Sequence, residues 1–135
     1  MTEKELKDRT KEFGKRVIRL VNELPNSISG RAIGNQLVRS GTSVGANYRA
    51  ACRGRSTAEF IAKIGDVEEE ADESSYWLEI IMEEEILPRG KVKALAKEAD
   101  ELTAVFTAIG RTSKQRYPKK GRAKKNPKSE LQNPE

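Results

Sequence analysis

Ile33-Gly-Asn-Gln-Leu-Val-Arg-Ser-Gly-Thr-Ser-Val-Gly-Ala-Asn-Tyr48 and, after a short break, Ala58-Glu-Phe-Ile-Ala-Lys-Ile-Gly-Asp-Val-Glu-Glu-Glu-Ala-Asp-Glu-Ser-Ser-Tyr-Trp-Leu78 decide the fold. At about 100° per residue, Ile33, Leu37, Ser40, Val44, Tyr48 and Ala51 share one face of the first segment, with Gln36, Ser43 and Asn47 as a polar strip along its edge. In the second, Phe60, Ile64, Val67, Ala71, Ser74, Ser75, Leu78 and Met82 recur at three- and four-residue steps and leave the glutamates on the other faces. Both segments read as helices, the two central ones of a bundle. Gly34, Gly41 and Gly45 each cost about 0.5–1 kcal/mol in a helix interior. The periodicity outweighs that cost, because Ser40, Gly41, Ser43, Ala46 and Asn47 let another backbone approach closely and the packing restores the loss. That backbone belongs to the same subunit or to a neighbouring one.

Outward from this pair, Leu6, Thr10, Phe13, Val17, Leu20, Val21 and Leu24 give the apolar face of a first helix over 2–24, with Glu12 and Arg16 at ion-pair spacing. Pro25 stops it, and Ser27 or Ser29 is placed to cap a second helix over 29–53. Gly54 suits a left-handed C-terminal cap, and Ser56 with Glu59 has capping-box spacing. The third helix is predicted over 57–87, about 45 Å long at 1.5 Å per residue. After Pro88 a fourth follows over 91–113, with Val92, Leu95, Ala96, Ala99, Leu102, Val105, Phe106 and Ile109 inward. Its broad apolar face suits burial both inside the bundle and against a neighbour. The expectation is an all-α, up-down antiparallel four-helix bundle over 1–113, followed by a basic disordered tail over 114–135.

The 135 residues suffice for one core. No apolar run reaches membrane-spanning length and the N-terminus has no signal-peptide core, so the expected location is cytoplasmic, away from membranes. The single cysteine excludes an intrachain disulfide, and the lack of histidine removes the commonest metal ligand and general base. The net charge of +5 conceals a division. Residues 1–56 carry twelve basic and five acidic side chains, residues 57–87 one and eleven, residues 88–113 five and three, and residues 114–135 eight and two. The excess positive charge belongs to the tail, and the rest is near neutral but strongly dipolar.

Candidate chemistry is sparse. Glu69, Glu70 and Glu73, with Glu98 and Glu101 on the next helix, approach the magnesium-binding pattern of all-helical nucleotide pyrophosphohydrolases. Glu69 lies opposite the apolar stripe, however, which fits a solvated acidic face better. A ferritin-like di-metal site requires histidines. Cys52 sits among Arg49, Arg53 and Arg55 and reads as a small packing residue. Trp77 lies on the flank of the third helix beside Glu70 and Ile81, where it anchors a subunit contact or closes the core edge. No cofactor, metal or small-molecule substrate is expected. The candidate phosphate ligands are Arg39, Arg49, Arg53 and Arg55 on and after the second helix, and Lys114, Arg116, Lys119, Lys120, Arg122, Lys124, Lys125 and Lys128 in the tail. Such groups bind nucleic acid without reading its sequence. Tyr117 offers one ring for stacking.

Gln36-Leu-x-Arg39-Ser-Gly-x-Ser43-Val-x-Ala46-Asn47, taken with Ser56-x-x-Glu59-Phe60 and Glu73-Ser-x-Tyr-Trp77-Leu78, resembles the four-helix bundle proteins named after the intervening sequences of bacterial 23S ribosomal RNA genes. The likeness covers roughly residues 5–112. After Asn47 the chain departs from it, having Ala50-Ala51-Cys52 where relatives commonly have an acidic residue and glycine, and the tail lies outside it. The resemblance implies a bundle that assembles into a ring, typically a homopentamer, with no established chemistry. A related group accompanies reverse transcriptases of diversity-generating retroelements, where the pentamer is thought to bind nucleic acid. The charge division also supplies complementary surfaces for head-to-tail contacts between copies, or for neutralisation within one. The expectation is a non-enzymatic homo-oligomer that binds RNA or DNA nonspecifically. The alternatives are a protein scaffold using the acidic third helix and a divergent magnesium-dependent nucleotide pyrophosphohydrolase.

Overall fold

The computed structural model describes residues 1–118. Four α-helices follow in order, α1 (Glu3–Val21), α2 (Ile28–Cys52), α3 (Thr57–Glu83) and α4 (Arg89–Arg116), and there is no strand among the described residues. Their contacts fix the topology. Thr10 of α1 meets Gly45 of α2, while Val17 meets Gly41. Across α2 and α3, Gly54 lies beside Phe60 and the Ser40 hydroxyl bonds that of Ser74 at 2.9 Å. Between α3 and α4, Ile64 lies against Gly110, Thr107 donates to Glu68 and Ser75 donates to Asp100. Arg9 on Glu98 and Lys91 on Glu23 join α4 back to α1. In every pair one numbering rises as the other falls, so all neighbours are antiparallel and the bundle closes.

The core runs the length of the bundle through Phe13, Val17, Leu37, Val44, Ile64, Val67, Leu78, Val92, Leu102 and Phe106. Each stripe follows the helical period, so burial of these side chains holds the helices together. One expectation changes at the end of α3. Ile81, placed on the flank by a regular wheel, is fully buried, and Met82 is only partly so. Ile81 follows Ser74 and Leu78 at four- and three-residue steps and so continues the buried stripe, and the end of the helix differs as well. Instead of running to residue 87, α3 stops at Glu83, Glu85 adopts φ 55°, and the N–H groups of Ile86 and Glu85 bond the carbonyls of Ile81 and Met82 at 2.9 and 3.1 Å. This is a Schellman ending, and it sets Ile86 against the core beside Ile81. Three successive glutamates at the negative end of the helix dipole also oppose further turns.

The other ends differ in smaller ways. Thr2 and Glu5 form a complete capping box on α1, Ser27 caps α2 and Ser56 caps α3. The Glu59 carboxylate takes the N–H of Arg55 at 2.7 Å rather than that of Ser56. Gly54 does not turn left-handed, since no described glycine has positive φ, and the Arg53 and Gly54 N–H groups close α2 by bonding Ala50 and Ala51. Glu12 pairs with Arg19, two turns on, instead of Arg16. α1 ends at Val21 because Glu23 and Leu24 bond three residues back in a tighter turn. α4 starts at Arg89 and continues to Arg116, three residues past its expected end.

The glycines of α2 face α1 of the same subunit. A Cβ on Gly41 would lie 2.7 Å from Val17, and one on Gly45 would lie 3.4 Å from the Thr10 backbone. Gly30 is tighter still, its added Cβ falling 2.1 Å from the Pro25 carbonyl oxygen. The small residues therefore pack α1 and α2 closely, as the first of the two alternatives requires.

Candidate nucleic-acid interface

Antiparallel packing brings the N-termini of α1 and α3 and the C-termini of α2 and α4 to one end of the molecule. Arg49, Arg53, Arg55, Lys114 and Arg116 gather there, all exposed. Arg49 and Arg53 have no carboxylate within ion-pair distance among the described residues, and Arg55 makes one loose contact with Glu59 at 3.7 Å. Lys114 and Arg116 occupy the last turn of α4, where cations also offset the helix dipole. Exposed Arg111, one turn earlier, lies near this end and was missed as a candidate because it falls inside the helical pattern. Tyr117 lies exposed at the same end. Lys119, Lys120, Arg122, Lys124, Lys125 and Lys128 lie outside the described residues.

Arg39, also a candidate phosphate ligand, lies away from this cluster and is ion-paired. Its guanidinium bridges α2 to α3, with 3.1 Å to Glu70 and 2.5 Å to Glu73, and the indole N–H of Trp77 donates to the same Glu73 at 3.1 Å. The hydrogen bond to Arg39, reinforced by that of Trp77 and opposed by partial burial, holds Glu73 below the ordinary carboxylate range; Arg39 is raised by the reciprocal bond. A guanidinium engaged by two carboxylates is not free for phosphate. Of the remaining motif residues, Ser43 donates to the Arg39 carbonyl at 2.6 Å, Asn47 and Phe60 are half-buried and Gln36 is exposed. Tyr76 is 54% exposed and stands edge-on to Trp77, the centroids 5.0 Å apart.

The carboxylates that suggested metal chemistry are otherwise occupied. Arg39 holds Glu70 and Glu73, Arg9 holds Glu98 at 2.7 Å and Glu101 at 3.0 Å, and Glu69 faces solvent. No group of three or more metal-ligating side chains occurs among the described residues. Cys52 is half-buried beside Tyr48, whose hydroxyl is pushed upward in pKa, first by burial and then by the nearby thiol. The Tyr48 ring packs 5.4 Å from that of Phe106 across the core. No helix among the described residues is long and apolar enough to cross a membrane.

An ion-paired antiparallel bundle with a cationic end and carboxylates committed to arginines defines a class of all-helical proteins built on packing and surface charge. The chain belongs to the 23S rRNA-intervening sequence protein family, whose model matches residues 2–108. It is similar to a solved protein of unknown function from the S23 ribosomal protein family of Bacteroides thetaiotaomicron VPI-5482, with 34% identity and a TM-score of 0.72 over 77% of this chain and 96% of that one. No functionally curated protein matches it.

Proposed function

We propose that the protein is a non-enzymatic homo-oligomer, a ring of bundles, that binds RNA or DNA nonspecifically through the cationic end and the basic segment that continues from it. The observation that carries this reading is the gathering of Arg49, Arg53, Arg55, Lys114 and Arg116 at the end where α4 finishes, with residues 119–135 following in the sequence. Those residues add six further cations against two carboxylates. Phosphate neutralisation by such groups depends on charge rather than base sequence, and several copies in one assembly raise the effective concentration of each. The exposed Tyr76 edge, braced by Trp77 and the Arg39 clamp, is the surface proposed for contact between subunits. Aromatic anchors of this kind dominate many interfaces.

Light scattering with a short RNA duplex, at low and moderate salt, tests both parts. A mass of several subunits that takes up RNA at low salt and releases it as salt rises supports the proposal. A monomer indifferent to RNA and to DNA ends it.

A further inference from the structure

Beyond the cationic end, the seam between α1 and α2 is a second basic surface. α2 carries no carboxylate anywhere in Ile28–Cys52. On α1, Glu3, Asp8 and Glu12 are paired with Lys7, Lys4 and Arg19, and Glu5 accepts the Thr2 N–H as part of the cap; beyond the end of α1, Glu23 pairs with Lys91. Exposed Lys11 and Lys15 on α1, Arg49 on α2 and Arg53 just after it are left without an ion-pair partner among the described residues. The helices approach closely there, since Cβ atoms added at Gly14 and Gly45 would lie only 3.5 Å from Thr42 and 3.4 Å from Thr10. Gly14 and Thr42 lie where the two helices meet, and the contacts of Thr10 with Gly45 and of Gly14 with Thr42 order the cations along the flank as Arg53, Arg49, Lys11, Lys15. Lys11 and Lys15 are four residues apart on α1, about 6 Å at 1.5 Å per residue. The neighbouring α3 has the opposite character, its exposed Glu69, Asp72, Glu79 and Glu83 repelling polyanions.

We infer that the α1–α2 flank is a nucleic-acid track, with Arg53, Arg49, Lys11 and Lys15 holding successive phosphodiester groups. The nucleic acid then runs from the cationic end up this flank and away from the acidic face. The inference rests on the proposed nucleic-acid binding and adds residues of α1 that the end alone does not require.

The test measures binding of 20-base-pair RNA and DNA duplexes to the full chain across a salt series, comparing K11Q/K15Q with K93Q/K97Q. Lys93 and Lys97 are exposed on α4 and make no ion pair, so both variants lose the same charge. K11Q/K15Q is expected to lower the slope of log affinity against log salt by about 1.8, two phosphate contacts' worth, with K93Q/K97Q leaving it unchanged. Equal slopes on RNA and DNA support a backbone track common to both; a loss on one alone assigns the track to that nucleic acid. Wild-type binding with an unaltered K11Q/K15Q slope overturns the track while leaving the broader proposal standing, as does an equal loss in both variants. A fall in assembly mass with K11Q/K15Q overturns it too, giving the flank to a neighbouring copy. Absence of wild-type binding to either duplex overturns both.

Discussion

Gly30 and Gly65 are both helical glycines, yet a methyl group at each meets opposite fates. At Gly30 it would strike the Pro25 carbonyl oxygen at 2.1 Å, a backbone atom of the turn that cannot step aside; at Gly65 nothing lies within 4 Å. Gly30→Ala is therefore expected to cost about 3 kcal/mol, the upper range for overpacking, whereas Gly65→Ala gains about 0.5–1 kcal/mol from helix propensity. Urea unfolding of the two variants reads both signs in one experiment. Glu85 presents the reverse case, a side chain in a left-handed conformation that glycine adopts without penalty. Glu85→Gly should raise stability by about 1 kcal/mol in the same assay. The sequence pointed to a left-handed position at Gly54, where a glycine invites one, and not at Glu85, where packing of Ile86 beside Ile81 imposes it. Such a position is set by a hydrophobic contact formed after the helix ends, so local residue preference does not reveal it.

At the scale of the element, the four apolar stripes were legible because one period governs each helix and burial follows it. Arg39 shows where legibility stops. On its own helix it is an exposed arginine one turn from the core, indistinguishable by pattern from Arg49. Only the antiparallel register of α2 against α3 brings Glu70 and Glu73 to it. The same register commits Glu70 and Glu73 to an arginine. It also gives the α2–α3 seam a pH dependence. Since Glu73 is held below its ordinary value of 4.5, its contribution is complete above that pH and is lost as acid carries the solution down through the folded value. Glu73→Gln should flatten the acid limb of the melting temperature below the ordinary carboxylate value of 4.5. Near neutrality it should cost about 1 kcal/mol or less, as partly exposed pairs do. A variant whose acid limb parallels the wild type would place acid sensitivity in other carboxylates.

For the whole molecule, charge is sorted by location: cations at one end and along α1–α2, carboxylates on the exposed face of α3, and an aromatic edge at Tyr76 among the latter. Composition gave the sorting by segment but not by surface, because residues far apart in sequence, such as Arg53 and Lys114, come to one end only once the bundle closes. The sorting separates the two proposed activities, assembly and nucleic-acid binding, so that each can be tested independently. The proposed assembly through the Tyr76 edge would bury an aromatic ring against a neighbouring copy, and the loss of such an anchor commonly costs about 2 kcal/mol or more, roughly thirtyfold in affinity. Tyr76→Ser leaves the Arg39–Glu73–Trp77 clamp in place, because Tyr76 itself makes no hydrogen bond to it and is more than half exposed. The variant should therefore keep its melting temperature as a dilute monomer while its mass by light scattering falls at concentrations where the wild type remains assembled. If each subunit binds nucleic acid through its own cationic surfaces, the salt slope per subunit should persist in this variant while apparent affinity for long duplexes drops with the lost multivalency. An unchanged mass would move the subunit contact away from α3, and a lost slope would mean that the nucleic-acid surface is completed only between copies.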